Sequence, residues 1–286
     1  MDEVDDEDGE RRPQRRRSDA NDATACNDDH STTAGQPRRH NETDMTDTVE
    51  ITRDAPLSAS LQALTETYPD APAAELRRFA DARPNSQEDA LALYAKYLAW
   101  READGSAAAL AEAAAPLGGT ISEGFASLGP KTAGDRVLLV EGARYDSAFD
   151  HAAYVALLCS HMDAACAAAD DSRVVVVVDC RPCRGWPSPA GWSFLPLLRA
   201  ILGTAPDCYP ERLRTVVVFP VPYWAAMIMN TVTALLDPVT RDKIALVAGD
   251  TDVDTPCPAG VWDHVAADAL PPRARCAAEA ADRHPP

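Results

Sequence analysis

The sequence predicts an α/β protein, in which a helical N-terminal segment is followed by alternating strands and helices. Three observations lead to this fold class. Helical apolar spacing runs from residue 57 to 100, short β-branched runs then alternate with amphipathic segments, and residues 174–178 are five consecutive valines. Such a valine run is typical of a strand buried on both faces. Alternation of these strands with helices predicts a sheet joined by right-handed crossovers.

Residues 1–55 are predicted to be a disordered charged tail. They contain 16 acidic and eight basic residues and almost no large apolar side chains. A segment of this composition cannot bury enough apolar surface to offset the entropy that ordering costs. The rest of the chain keeps 29 acidic and 19 basic residues, a net charge of −10. This acidity disfavours nucleic acid as a partner, and it requires any membrane contact to use apolar insertion or local basic residues.

Residues 56–104 are predicted to form a helical unit. Pro84 ends a helix over 75–83, and Ser86 with Asp89 three residues later is typical of the start of the next helix. Residues 105–131 are rich in alanine and glycine. We expect them to be mainly a connector, with room for a short helix over 106–115.

Residues 132–271 are predicted to form the α/β domain, and residues 272–286 an unstructured tail. The β-branched runs predict strands at 136–140, 174–178, 215–219 and 244–248. Helical spacing predicts helices at 149–169, 194–202 and about 222–236, with a last short helix over 261–270.

One of these helices belongs to a run of 22 residues without a formal charge, between Arg214 and Asp237. Pro220 and Pro222 divide the run, so it cannot be one transmembrane helix of about 20 apolar residues. The helix after the prolines is apolar on nearly every face. Such a helix is either an ordinary core helix or an element that faces something other than water.

Little in the sequence predicts catalysis or metal binding. The eight cysteines have no disulfide-like spacing, and we expect reduced thiols, no metal site, no cofactor and no catalytic residues. One redox alternative remains open. Cys180 and Cys183 follow the valine strand as a Cys-x-x-Cys pair, so a thioredoxin-like dithiol is possible, although Gly185 and Pro187 break the helix it would need.

Four stretches together resemble the CRAL-TRIO family of lipid-binding proteins, in its phosphatidylinositol-transfer branch. They are residues 76–83 with Trp100 and Arg101, residues 174–179, the Tyr-Pro-Glu-Arg-Leu motif at 209–213, and residues 237–240 with 243–244. The resemblance covers about residues 57–270. It implies a helical unit followed by a mixed β-sheet with flanking helices around an apolar lipid cavity, closed by a movable gate helix.

The resemblance also implies a set of ligand-binding residues. The gate helix falls on residues 223–236, and its acyl-chain contacts would be Tyr223, Trp224, Met227, Ile228, Thr231 and Leu235. The lipid headgroup would be bound by residues matched one by one to the motifs, namely Arg83, Glu211, Thr240 and Lys243. For Glu211 and Lys243 the alternative is an ordinary structural ion pair at the edge of the sheet. The residues after the central strand, 180–186, depart from the family pattern that contacts phosphatidylcholine.

The predicted function is therefore that of a non-enzymatic protein that binds a single phospholipid, phosphatidylinositol, in an internal apolar cavity and transfers or presents it between membranes. The expected partners are this lipid and, transiently, a membrane surface, for a monomeric protein in the cytoplasm. Two alternatives stay open at this point. One is a lipid-regulated scaffold or sensor without transfer activity, and the other is the dithiol oxidoreductase that uses Cys180 and Cys183.

Overall fold

The computed structural model of the chain describes residues 58–132, 135–166, 171–183, 185–221, 241–252, 255–271 and 274. These residues belong to one unit that starts at Asp54. Seven α-helices are described, with bounds that follow in chain order: α1 Ala59–Thr67, α2 Ala73–Ala82, α3 Gln87–Ala103, α4 Ala107–Ala114, α5 Gly118–Phe125, α6 His151–Ala165 and α7 Leu195–Cys208.

Four of these helices begin at a side chain that caps the free backbone N–H groups of the first turn. The hydroxyl of Ser86 accepts a hydrogen bond from Asp89 N at 3.1 Å, which confirms the predicted start of α3. Ser58, Ser106 and Asp150 cap α1, α4 and α6 in the same way. The cap at Asp150 explains why α6 begins at His151, two residues after the predicted start at Phe149.

The five strands form one mixed sheet in the order β1 to β5, with bounds Ala126–Thr132, Asp135–Glu141, Val174–Asp179, Leu213–Val221 and Ile244–Ala248. β1 and β2 are antiparallel, and every later neighbouring pair is parallel. All four predicted strands are present, and the predicted fold class, a mixed α/β sheet with flanking helices, is confirmed.

The segment 105–131, predicted mainly as a connector, contains α4, α5 and most of β1. The strand could not be predicted from the sequence, because Gly129 and Pro130 are both residue types that are rare in strand interiors. The structure accommodates them at the sheet edge, where the register of β1 against β2 shifts between Leu128 and Lys131. A β-carbon at Gly129 would also overlap the carbonyl oxygen of Ala269, so glycine is required by this close approach.

The two faces of the sheet are covered by different elements. Side chains of α6 and α7 pack on the face that carries Leu138, Val140 and Val174. The opposite face, with Val177 and Val217, is covered by the C-terminal segment 257–274. The helix predicted over 261–270 is not formed there. Two 3-10 helices, Ala259–Asp263 and Ala267–Ala269, replace it, and Val261, Val265 and Ala269 on them and between them pack on the sheet face. Pro271 accounts only for the end of this segment, where Leu270 is extended.

Helices α1 to α3 bury an aromatic core that also contacts α6 and α7. Phe79 packs edge-on against Tyr94 with ring centroids 4.9 Å apart, and Tyr94 is 2% exposed. Cys159 of α6 and Cys208 of α7 are buried in the same cluster. The N-terminal helices are therefore packed on the helical layer that covers the sheet.

Several predicted features lie outside the described residues. They are the charged tail 1–55, the gate helix 223–236 with all of its acyl-contact residues, Thr240, and all of the C-terminal tail 272–286 except residue 274. Within the described ranges, every helix is too short or too polar to span a bilayer.

Candidate functional site

Glu211 and Lys243 meet at the amino ends of two neighbouring parallel strands. Glu211 lies in the turn between α7 and β4, and Lys243 directly precedes β5. The ammonium Nζ of Lys243 lies 3.6 Å from Oε2 of Glu211, and both side chains are about a quarter to a third exposed. The carbonyl oxygen of Lys243 accepts hydrogen bonds from the N–H and the hydroxyl of β4 residues Val216 and Thr215, at 2.8 and 2.9 Å. The backbone of Lys243 is thus fixed to the sheet.

Glu211 is the one member of its Tyr-Pro-Glu-Arg motif that is not buried. Tyr209 and Arg212 are 9% and 3% exposed, and Pro210 is buried. Arg212 donates to the carbonyl oxygen of Ser172 at 2.7 Å. Glu211 itself has a φ of +56°, in the left-handed region that a residue with a β-carbon rarely adopts. Three residues of the motif are therefore structural, and they hold Glu211 in a strained conformation at the surface.

The other two predicted headgroup residues do not join this pair in the described part of the chain. Arg83 is exposed at the end of α2, and its guanidinium donates to the carbonyl oxygen of Ala82 at 2.8 Å. Its own carbonyl accepts from the hydroxyl of Ser60 at 2.9 Å. No ion pair or hydrogen bond joins Arg83 to Glu211 or Lys243. Thr240 lies outside the described residues.

Asp81 is a further acidic group near this pair that the sequence reasoning did not single out. Burial raises the pKa of Asp81, the charge of Arg77 opposes this change, and the charges of Glu211 and Asp171 add to it. A carboxylate near the end of α2 therefore lies close enough to Glu211 to be influenced by its charge. Asp81 stands inside the motif 76–83, but an acidic residue on an exposed helix face carries no distinctive sequence signal.

The helix-covered face of the sheet becomes progressively less covered towards β5. Its side chains lie in two rungs across the strands, Leu138–Val176–Val216–Ile244 and Val140–Val178–Val218–Leu246. Leu138 and Val140 on β2 are 2% and 9% exposed, the valines of β3 and β4 are half-buried, and Leu246 is 43% exposed. At β4 and β5 the sheet therefore exposes apolar side chains on the face where a closed core would bury them.

Helix α7 borders that surface. Leu195, Leu198 and Leu202 of α7 are partly buried and belong to one apolar cluster with Ile244. Trp192, in the turn before α7, is 51% exposed. The chain segment 222–240, which joins β4 to β5 and contains the predicted gate helix, lies outside the described residues.

Cys180 and Cys183 lie in a loop whose architecture differs from that of a dithiol site. The positive charge of Arg181 between them would favour a thiolate, but its guanidinium donates to the carboxylate of Asp179 at 3.0 and 2.7 Å, and the residue is 1% exposed. Loss of solvation and the charge of Asp179 raise the pKa of Cys180 to about 12, although the residue as a whole is exposed. Cys183 is buried and no helix begins in the motif. These features oppose thiolate chemistry.

A separate cavity of about 320 Å³ lies between the N-terminal helices and the Tyr209 turn. Its walls carry charged side chains, which include Glu75, Arg78, Arg101, Asp163 and Arg212. Such a lining is unsuited to acyl chains. Among the described residues, no group of three or more His, Cys, Asp or Glu side chains is placed to hold a metal ion.

Comparison with known proteins agrees with this architecture. The family model for the CRAL/TRIO domain matches residues 125–260, which include all five strands and, of the predicted headgroup residues, Glu211, Thr240 and Lys243. The resemblance found in the sequence motifs is confirmed over residues 125–260, which are similar to a CRAL/TRIO domain. No curated protein matches the sequence.

Solved structures share the fold. A match is found with "Crystal structure of Sfh5", with a TM-score of 0.51 and 16% sequence identity. The matched region covers 61% of this chain and 64% of that chain, so it spans less than two thirds of the Sfh5 structure. At this identity the likeness extends to the fold alone.

Proposed function

We propose that this protein binds a single phospholipid, with phosphatidylinositol as the preferred ligand, and transfers or presents it between membranes. The similarity of residues 125–260 to a CRAL/TRIO domain supports lipid binding in general. The observation that carries the proposal is the combination of two features on one sheet. An incompletely covered apolar surface runs along β4 and β5, and the Lys243–Glu211 pair stands at the amino ends of the same strands.

The two ends of this surface suit the two parts of a phospholipid. Lys243 offers a positive charge to the phosphodiester, with Thr240 three residues earlier as a hydroxyl donor. Glu211 accepts hydrogen bonds from inositol hydroxyls, which act as donors to a carboxylate. Arg83 at the end of α2 would have to turn away from the carbonyl of Ala82 to reach a headgroup. The acyl chains would extend along the valines and Leu246, beneath the segment 223–236.

Energetics and charge indicate how such a lipid would be taken up. Burial of acyl chains stabilises the complex by about 0.8 kcal/mol per CH₂ group, so extraction is limited by its rate rather than by its equilibrium. A gate segment without formal charges lowers that barrier if it opens into the bilayer. The net charge of −18 disfavours a broad electrostatic contact with anionic membranes. We therefore propose brief, apolar membrane contact by a monomer in the cytoplasm.

Native mass spectrometry of the gently purified full-length protein tests the proposal. We expect one lipid per chain, identified as phosphatidylinositol after extraction. The Leu246→Asp variant, purified in parallel, should carry less lipid because it places a charge on the apolar surface. A lipid-free mass for the unmodified protein would contradict the proposal. A transfer assay between donor and acceptor vesicles then separates a carrier from a sensor, because a sensor binds the lipid and moves little of it.

A further inference from the structure

The strained backbone of Glu211 lies between two anchored residues of its turn, Tyr209 and Arg212. A φ of +56° at a residue with a β-carbon persists only where the surroundings impose it. Arg212 is fixed on one side by its hydrogen bond to Ser172 O. On the other side, the buried Tyr209 is fixed through its hydroxyl, whose single proton is shared between Oδ1 of Asp163 at 2.9 Å and Cys159 O at 3.1 Å.

Asp163 is in turn held by the N-terminal helices. Arg101 of α3 donates to both oxygens of this carboxylate, at 2.7 and 2.6 Å. The guanidinium of Arg101 also lies between aromatic rings, 4.8 Å from the centroid of Trp100 and 5.7 Å from that of Tyr209. A continuous set of contacts therefore joins α3, through Asp163 on α6, to Tyr209, which lies two residues before Glu211.

We propose that Asp163 and Tyr209 are positioning residues for headgroup selection, acting through the backbone of Glu211. This inference rests on the proposed function. Without the hydroxyl of Tyr209, the first residue of the turn loses its side-chain anchor, and only the 3.3 Å backbone hydrogen bond from Arg212 N to Tyr209 O still closes the turn. Glu211 then relaxes out of the left-handed region, and its carboxylate moves away from the site beside Lys243. The lost interaction is the one with inositol hydroxyls, so phosphatidylinositol is affected and a lipid without that headgroup is not.

The Tyr209→Phe variant isolates the hydroxyl, because the ring stays in its place beside Trp100. We expect phosphatidylinositol binding to weaken about fivefold, the effect of one typical hydrogen bond. Binding of phosphatidylcholine should stay within a factor of two or so. The measurement is lipid uptake from phosphatidylcholine vesicles that contain labelled phosphatidylinositol, and from vesicles of labelled phosphatidylcholine alone.

Two controls separate positioning from a general structural role. Lys96→Ala breaks the 2.5 Å ion pair between α3 and Asp207 of α7, leaves the hydroxyl contacts of Tyr209 intact, and should not alter lipid preference. In a Glu211→Gln background, Tyr209→Phe should cause no further loss of preference, since the carboxylate that it positions is already absent. Independent losses in the double variant, or equal loss for both lipids, would overturn the inference.

The same assay distinguishes this inference from the proposed function. If the unmodified protein shows no preference for phosphatidylinositol, the proposed function fails. If the unmodified protein shows the preference and the Tyr209→Phe variant keeps it, the proposed function stands and the positioning role is wrong.

Discussion

The guanidinium of Arg181 turns back onto the carboxylate of Asp179, two residues earlier, with Nε and Nη2 at 3.0 and 2.7 Å from its two oxygens. Neither side chain is more than 1% exposed. Two further N–H groups of Arg181 donate to the carbonyl oxygens of Thr255 and Ala274, both at 2.9 Å. The pair thereby joins the end of the central strand to the C-terminal segment that covers the opposite face of the sheet.

Arg181→Met should destabilise the protein by about 3 to 5 kcal/mol, because it leaves the charge of Asp179 buried without a partner. Urea unfolding of the full chain, monitored by circular dichroism, measures this loss. The double variant Asp179→Asn with Arg181→Met removes both charges and should recover part of the stability. A single-variant loss below about 1 kcal/mol would show that the pair does not stabilise the fold in this way.

Lys243→Ala should reduce loading of phosphatidylinositol while loading of phosphatidylcholine changes little. The stability of the fold should fall by less than about 1 kcal/mol, since the ion pair with Glu211 is partly exposed. Competitive uptake from mixed vesicles measures the preference, and Arg199→Ala, at an exposed position of α7, serves as the charge-matched control. An equal reduction for every lipid would exclude a headgroup role for Lys243.

Leu246→Asp should weaken binding of all lipids about tenfold or more, because a carboxylate at this position removes apolar contact and must be desolvated by the acyl chains. Leu98→Asp is the matched control, since Leu98 on α3 is similarly exposed, at 38% against 43%. Fluorescence titration with a pyrene-labelled phospholipid measures both variants. Equal effects at the two positions would place the acyl chains elsewhere.

Stability should fall as the pH drops below about 6.5, in part through His161 on α6. Burial lowers the pKa of His161 from its ordinary 6.5, against a smaller opposing effect of a backbone hydrogen bond with Ala126. Its Nε2 is buried without a hydrogen-bond partner among the described residues. The unfolded chain therefore takes up a proton at a higher pH than the folded chain, and protonation favours unfolding. The contribution of neutral His161 to the free energy of unfolding is complete above pH 6.5. It is lost as the pH falls towards the lower pKa that His161 has in the folded protein.

The measurement is thermal unfolding between pH 5 and 8. His161→Gln should flatten the pH dependence, whereas His264→Gln, at an exposed position, should leave it unchanged. The same slope in the His161 variant and in the unmodified protein would assign the pH dependence to other groups.

The elements with strong local signals were predictable from the sequence. The valine run of β3 and the Ser86 cap of α3 are found where they were expected, because buried parallel strands and helix caps impose local residue preferences. β1 was missed, since a strand that tolerates Gly129 and Pro130 exists only through its partner strand and the nearby Ala269. The last predicted helix was wrong, because the apolar spacing of Val261, Val265 and Ala269 indicates which side chains contact the sheet but does not distinguish one α-helix from two 3-10 helices.

For the candidate site, only the motifs that contain its residues were predictable from the sequence. Glu211 and Lys243, 32 residues apart in the sequence, were paired from the motifs that flank the uncharged run, and the structure brings them together. The motif did not reveal that Tyr209 and Arg212 are internal supports and that Glu211 alone faces outward with a left-handed backbone. Those roles depend on α6 and on residue 172, which no local pattern connects to the turn.

The irregular edge strand β1 has a consequence for how this molecule behaves at high concentration. A regular edge strand exposes a row of unpaired N–H and C=O groups that can pair with a strand of another molecule, and fibrils grow by such pairing. Pro130 has no N–H to donate to such a chain, and the register shift between Leu128 and Lys131 interrupts the regular pairing of β1. On this side of the sheet, the proline and the irregular register oppose edge-to-edge aggregation.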